Sequence, residues 1–353
     1  MRPESLEFLH RLLDTPSPSG FEEPAQAVVR AYAGGFAEAI DTDVHGNVIA
    51  ALNPSGKPRV MLAGHCDEIG LMVTFIDDKG FLAVDQIGGW DAANLLGQRV
   101  SIQAASGVVR GVIARKAVHM MTPEERGAAT KVQDLWIDIG ARDKDDAKSL
   151  VRIGDPVTVG EGFELLRDGR AVSRCFDDKV GTFIVIEALR LLTAMEPRAA
   201  VFAVSTVQEE IGLRGAKTSC FGIDPDVGVA VDVTHASDGP DDAKPKRLYQ
   251  ETGKGPVIPR GANFSHIVVQ RMIDAAEEAG IPYQLAGVPH ASGTDANVIQ
   301  ISRAGVATGL VEIPLRYMHA PTEVLHLDDV ENAARLLAEF TVRLDEGVTL
   351  IPQ

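Results

Sequence analysis

Ala199-Ala200-Val201-Phe202-Ala203-Val204-Ser205-Thr206 is the stretch on which the fold turns. It is an uncharged, largely apolar run of the kind buried on both faces, as in the parallel sheets of α/β proteins. Straight after it come Val207-Gln208-Glu209-Glu210-Ile211-Gly212-Leu213-Arg214-Gly215. Two adjacent carboxylates at the end of a buried strand repel each other unless a cation or a proton neutralises them. Neighbouring side chains there can diverge, one to a metal and one to a water, which yields a ligand and a general base.

Outward from this stretch the pattern repeats. Residues 227–231 and 308–311 read as further apolar strands. Helices are expected over 180–195, 265–279 and 330–344, the last with Asp328 and Glu331 as a capping box. Alternating strands and helices mean a parallel-rich sheet covered by helices. Toward the N-terminus, Leu6, Leu9, Leu12 and Leu13 recur at helical spacing, Pro16-Ser17-Pro18-Ser19-Gly20 breaks the chain, and Glu22-Glu23 opens a second helix to about residue 33. Residues 44–52 read as a strand with a His45-Gly46-Asn47 turn inside it, and 60–63 as a short strand leading to His65. From about 69 to 160 the chain changes to short alternating segments with hairpin punctuation such as Asp77-Asp78-Lys79-Gly80. Its polar middle, 119–132, is expected to be a mobile loop or lid, and 143–150 a short helix. The expected architecture is an α/β domain, 1–68 plus 169–353, interrupted by a small all-β insert, 69–168.

Composition sets limits. The 353 residues carry 45% hydrophobic content, enough for a sizeable core, and a net charge of −16. That charge argues against nucleic acid or an anionic membrane as partner, and no apolar run reaches the roughly 18 residues of a membrane span. Three cysteines, Cys66, Cys175 and Cys220, and a start without a secretory pattern point to reduced thiols and a cytoplasmic location. Cys66 and Cys175 read as buried small side chains, with thiols that tune a metal site as the alternative.

In open α/β sheets, ligands gather at the carboxyl ends of the strands. His65, Glu209, Glu210 and Asp232 all fall there. Asp67, two residues past His65, can hold the second ring nitrogen; Glu68 has no role visible in the sequence. Asp177-Asp178 opens the helix before Lys179, where acids need no function beyond the helix dipole. In a metal reading one of them bridges, and the sequence leaves open which. His319 follows the last strand. Two histidines with several carboxylates suit zinc or a similar first-row metal. They exceed the needs of one zinc and match a pair sharing a carboxylate, with one acid left as base. His290, Gly293, Thr294 and Asp295 lie on a polar loop able to line a substrate pocket or to cap the next helix. No nucleophile elbow, Walker loop or dinucleotide fingerprint is present.

The ordered segments Ser17-Pro18-Ser19-Gly20-Phe21-Glu22, His65-Cys66-Asp67-Glu68-Ile69-Gly70, Phe176-Asp177-Asp178-Lys179, Gln208-Glu209-Glu210-Ile211-Gly212-Leu213-Arg214-Gly215-Ala216, Asp232-Val233-Thr234-His235-Ala236 and Gly293-Thr294-Asp295-Ala296 resemble those of the M42 metallo-aminopeptidases, the tetrahedral (TET), glutamyl aminopeptidase-like group. The resemblance implies a phosphorylase- or zinc-exopeptidase-like α/β/α sandwich with a β-barrel or PDZ-like dimerisation insert. It implies two divalent ions, Zn2+ or Co2+ with Mn2+ also open: Asp177 bridges, His65 and Asp232 complete one site, and Glu210 and His319 the other. Asp178 stands as the alternative bridge. Glu209 is then general base to a metal-bridged water, with Asp67 behind His65. The implied activity removes N-terminal residues from short peptides, in dimers that assemble into a tetrahedral dodecamer. A leucine-like N-terminal residue is expected, an acidic one being the alternative. Rival readings are a deacylase or carboxypeptidase of the same clan, an endoglucanase-type glycosidase, and a metal-stabilised scaffold. The glycosidase is disfavoured by 5% aromatics, too few for sugar stacking.

Overall fold

The computed structural model describes residues 1–240 and 249–352. The chain opens with α1 (Pro3–Asp14) and α2 (Glu23–Ala33), then β1 (Ala39–Thr42), β2 (Val48–Leu52) and β3 (Arg59–His65). A second unit follows: β4 (Gly70–Ile76), β5 (Leu82–Ile87), β6 (Arg99–Ala104), β7 (Gly107–Ala114), α3 (Pro123–Gly127), β8 (Trp136–Asp138), α4 (Lys144–Leu150) and β9 (Pro156–Val159). The chain returns through β10 (Glu164–Leu165), β11 (Arg170–Ser173), α5 (Phe176–Leu192), β12 (Ala200–Thr206), α6 (Arg214–Ile223) and β13 (Val227–His235). It closes with β14 (Val257–Gly261), α7 (His266–Glu278), β15 (Gln284–Val288), α8 (Ala296–Ile299), β16 (Ala307–Leu315), β17 (Glu323–His326) and α9 (Leu327–Val342).

The main sheet has eight strands in the order β1-β2-β12-β3-β13-β16-β14-β15. Its centre, β12-β3-β13-β16, is wholly parallel. These strands are buried on both faces, every residue of β12 included, because α5, α7 and α9 cover one face and α6 and α8 the other. Helix α5 is buried almost end to end against β3, β12 and β13. A β-carbon on Gly64 of β3 would come within 2.3 Å of the Gly181 backbone, so only glycine lets α5 lie this close beside His65. The chain is thus mixed α/β, as expected, with an added closed barrel in the order β4-β5-β8-β7-β6-β9. The barrel has its own apolar core around Leu71, Leu82, Val100, Ile102 and Val157. β10 belongs to a separate three-stranded sheet with β11 and β17.

Several local expectations need correction. The strand expected over 44–52 begins only at Val48, since Asp43 Oδ1 accepts the amides of His45, Gly46 and Asn47 and makes that stretch a turn after β1. The segment 119–132, expected to be a mobile loop or lid, contains the short helix α3, started by a Thr122–Glu125 capping box. Helix α9 starts at Leu327, because His326 Nδ1 accepts the Asp328 amide, so Asp328 lies inside the helix rather than capping it. Among the described residues no helix is long and apolar enough to cross a membrane.

Candidate metal centre

Parallel pairing places the candidate residues side by side. His65 ends β3 opposite Thr206, after which β12 runs into Glu209-Glu210; Asp232 lies near the end of β13, and His319 follows β16. Asp177 stands between the two histidines, with Oδ1 3.3 Å from His65 Nε2 and Oδ2 3.3 Å from His319 Nε2. Glu209 Oε2 is 3.7 Å from His65 Nε2, and Glu210 Oε1 is 3.5 Å from His319 Nε2. His65, Asp177 and Glu210 each offer a ligand atom with all three within 4.8 Å of one another, and so do His65, Asp178 and Asp232. The structure therefore brings all seven residues expected as ligands or base, Asp67 included, to one end of the sheet.

The ring tautomers are set from behind. His65 Nδ1 faces the carbonyl oxygen of Asp67 at 3.1 Å, and His319 Nδ1 that of Gly89 at 2.8 Å. A carbonyl only accepts, so each Nδ1 donates and each Nε2 faces Asp177. Gly89 lies in the barrel unit, between β5 and β6. Asp67 does more than back His65. Its carboxylate also accepts the amides of Glu209 (3.0 Å) and Glu210 (3.2 Å) and the Ser19 hydroxyl (2.7 Å). Asp178 is tied differently: Oδ1 accepts the Gly181 amide at the start of α5 and Oδ2 the His65 amide.

The electrostatics are those of anions crowded without enough cations. Burial, reinforced by neighbouring Asp232, Asp295 and Glu210, pushes the Glu209 carboxyl well above the usual range against the pull of His65. Burial and Asp177 push Glu210 up to about 8 and raise Asp232 strongly. Asp177 is held far below the usual range, since hydrogen bonds from His319 and His65 overcome its burial. His319 is raised to about 9, chiefly by its hydrogen bond to Asp177. Glu210 Oε1 is buried with no hydrogen-bond partner. A set made of imidazole nitrogens and carboxylate oxygens, part of it orphaned, fits a divalent cation.

A cavity of about 560 Å3 opens over these groups, lined by Asp177, Glu209, Glu210, Asp232 and His319. Of the loop residues proposed from the sequence, Gly293 and Thr294 line it; His290 is exposed elsewhere, and Asp295 is buried beneath, accepting from Thr206.

Comparison with known proteins places this geometry. Residues 46–336 match the family described as M42 glutamyl aminopeptidase. The chain belongs to the M42 aminopeptidase family. The lysyl aminopeptidase of Pyrococcus furiosus is 37% identical over 336 residues, 94% of each chain. Among solved structures, a TET aminopeptidase from a marine sediment archaeon of the Thaumarchaeota superposes with a TM-score of 0.92 at 36% identity, over 97% of this chain and 98% of that one. A Pyrococcus horikoshii TET peptidase, which assembles into a tetrahedron or a large octahedral shell, gives 0.84 at 32% identity, over 96% and 100%. Membership of the M42 family makes the protein a peptidase of the aminopeptidase type.

Three features of this M42 chain escaped the sequence reading. Glu323 is buried and accepts the amides of both Asp177 and His319, each at 3.0 Å, so one carboxyl sets two members of the cluster. It also steadies His319, whose φ of 60° is in the left-handed region that non-glycine residues avoid. Glu68 is held by Arg174 (3.0 Å), Lys179 (2.8 Å) and the Ser17 amide (2.8 Å), a buried network pinning the 17–20 loop and the start of α5 to the site. Glu312 lines the cavity. The only signal for these residues was an acid or base near a strand or helix end. Cys66 and Cys175 are buried, as expected of small buried side chains, and burial raises both thiols, Cys175 to about 11.

Proposed function

We propose that the protein is a dinuclear metal-dependent aminopeptidase acting on short peptides with a free N-terminus. The observation that carries this reading is the Asp177 carboxylate, one oxygen toward each histidine, with Asp232, Glu209 and Glu210 around it. Asp177 is the bridging residue, His65 and Asp232 hold one ion, and Glu210 and His319 the other. Asp178 is the weaker candidate for the bridge, because both its oxygens already accept backbone amides. Zn2+ or Co2+ suits the donors, with Mn2+ the less preferred ion. When bound, such a pair supplies Lewis acidity and a water of lowered pKa.

The residues do the rest. Glu209, anchored through its amide to Asp67, takes a proton at its carboxylate as water attacks the scissile carbonyl, then returns it to the leaving amine. Asp67 fixes the His65 tautomer and the backbone of the base together. The 69–168 insert is the dimerisation domain, consistent with the apolar Phe75, Val108, Val112 and Met120 exposed on it. Dimers assemble into a tetrahedral dodecamer, as the P. horikoshii relative's shell suggests.

The test is hydrolysis of unblocked aminoacyl anilides by chelator-stripped protein, with and without Zn2+ or Co2+, beside N-acetylated controls. Metal-dependent cleavage of free-amine substrates alone is the expected result. Cleavage of blocked substrates would instead indicate a deacylase or carboxypeptidase.

A further inference from the structure

One carboxylate in the cavity has no part in this scheme. Glu312 on β16 is in register with Asp232 on β13. In-register residues of parallel neighbours share a face and stand about 4.8 Å apart, so Glu312 lies one strand beyond Asp232 on the same cavity floor. Its side chain is half-buried, open to the cavity, and makes no hydrogen bond or ion pair with any described residue. The charge acting on it is that of Asp232, of like sign, and burial followed by that charge pushes its carboxyl up to about 8. Among the described residues no Lys or Arg lines the cavity; its uncharged walls include Leu213, Thr234, Gly293, Thr294 and Met318. An enclosed acid without a partner costs stability unless a bound group neutralises it.

We propose that Glu312 is a specificity-determining residue that receives the ammonium or guanidinium of an N-terminal Lys or Arg. This rests on the aminopeptidase reading above and names its substrate class. The four-carbon stem of lysine is long enough to cross one strand spacing. With the α-amine beside the Asp232 carboxylate, the stem lies along Leu213 and Met318 and the ε-ammonium meets Glu312. At Glu312 an acidic N-terminal side chain would meet a like-charged carboxylate, with no Lys or Arg among the described lining residues to offset it. A leucine-like residue would leave the Glu312 carboxylate unpaired. The structure therefore favours a basic residue over the leucine-like one expected from the sequence.

The experiment compares kcat/KM for Lys-, Arg-, Leu-, Glu- and Nε-acetyl-Lys anilides on metal-loaded wild type and Glu312→Gln, with free L-lysine and L-norleucine as competing products. Wild type is expected to prefer Lys and Arg over Leu by at least about tenfold, and Nε-acetyl-Lys, which keeps the stem without the charge, to fall with Leu. In Glu312→Gln the Lys-to-Leu ratio drops about 100-fold, the scale for removing one partner of an enclosed charge pair. Inhibition by lysine weakens relative to norleucine. An equal loss on all substrates would make Glu312 an α-amine anchor or a structural residue and overturn the proposal. So would wild-type preference for Leu or Glu, or for Nε-acetyl-Lys equal to Lys, whether or not the variant folds. Those results leave the aminopeptidase reading standing; cleavage of no free-amine substrate removes both.

Discussion

Glu68 and Glu209 are both buried carboxylates at the carboxyl end of the same sheet, yet they are compensated in opposite ways. Glu68 meets two cations, and the charges of Arg174 and Lys179 outweigh its burial and hold its carboxyl below the usual range. Glu209 is buried beside Asp232, Asp295 and Glu210, and burial together with their charge pushes its carboxyl well above that range despite the pull of His65. One cluster is complete within the chain. The other is complete only when something positive arrives from outside. Buried charge of the first kind is structural; the second kind costs stability in the isolated chain and is the usual mark of a site.

The largest effect should come from breaking the completed cluster. Glu68→Ala leaves Arg174 and Lys179 buried without their anion and is expected to cost about 3–5 kcal/mol in chemical denaturation. The pH dependence follows from the lowered pKa. The contribution of Glu68 is full above its unfolded value near 4.5 and is lost as pH falls through the lower folded value. Wild-type stability should therefore drop on acidification, and Glu68→Gln should flatten that part of the curve. A variant as stable as wild type would erase the contrast between the clusters.

Glu209→Gln probes the other side. It should leave metal content intact and lower kcat by about 10³, measured by elemental analysis beside turnover. In metal-free protein the same change removes a repelled acid, so the melting temperature should hold or rise, opposite in sign to Glu68→Gln. Near-normal turnover in a metal-replete variant would refute the general-base role.

The contrast also marks what a single sequence can show. The central strands were legible because β12, residues 227–231 of β13 and residues 308–311 of β16 are uncharged runs buried on both faces. Glu209, Glu210 and Asp232 were legible because the runs of β12 and β13 lead into them, whereas Glu312, which follows the β16 run, was passed over. Edge elements were not: β1 is almost wholly exposed and has no apolar pattern, β15 alternates weakly, and α6 is diluted by glycine, serine and threonine. Nor was the completed cluster. The cations of Glu68 lie 106 and 111 residues away in the chain, and only folding reveals that they meet. Glu323 sits four residues past His319, but its partners are backbone amides, which leave no trace in side-chain identity.

Glu323→Gln sharpens the contrast at lower amplitude. The amide keeps one acceptor and loses the other, so either Asp177 or His319 is released. Metal affinity, read by competition with a chromophoric chelator, should weaken about 10–100-fold, with kcat largely recovered at saturating metal. Loss of kcat at full metal occupancy would place Glu323 in the chemistry instead.

Ser19→Ala is the smallest test, and it asks whether Asp67 belongs with Glu68 or with Glu209. Asp67 is buried, but His65 and the Ser19 hydroxyl pull its carboxyl below the usual range. It touches both regions, backing His65 and binding the amides of Glu209 and Glu210. Removing the hydroxyl deletes one hydrogen bond to a charged group and leaves the two amide donors in place, a cost of about 1.5 kcal/mol. If Asp67 works as part of the compensated framework, that cost should appear in stability with less than about a tenfold change in kcat. If instead the hydroxyl holds Asp67 in the orientation that aims Glu209, kcat should fall further than stability does. Denaturation and turnover on the same metal-loaded sample separate the two, because a purely structural bond cannot lower kcat in protein that remains folded.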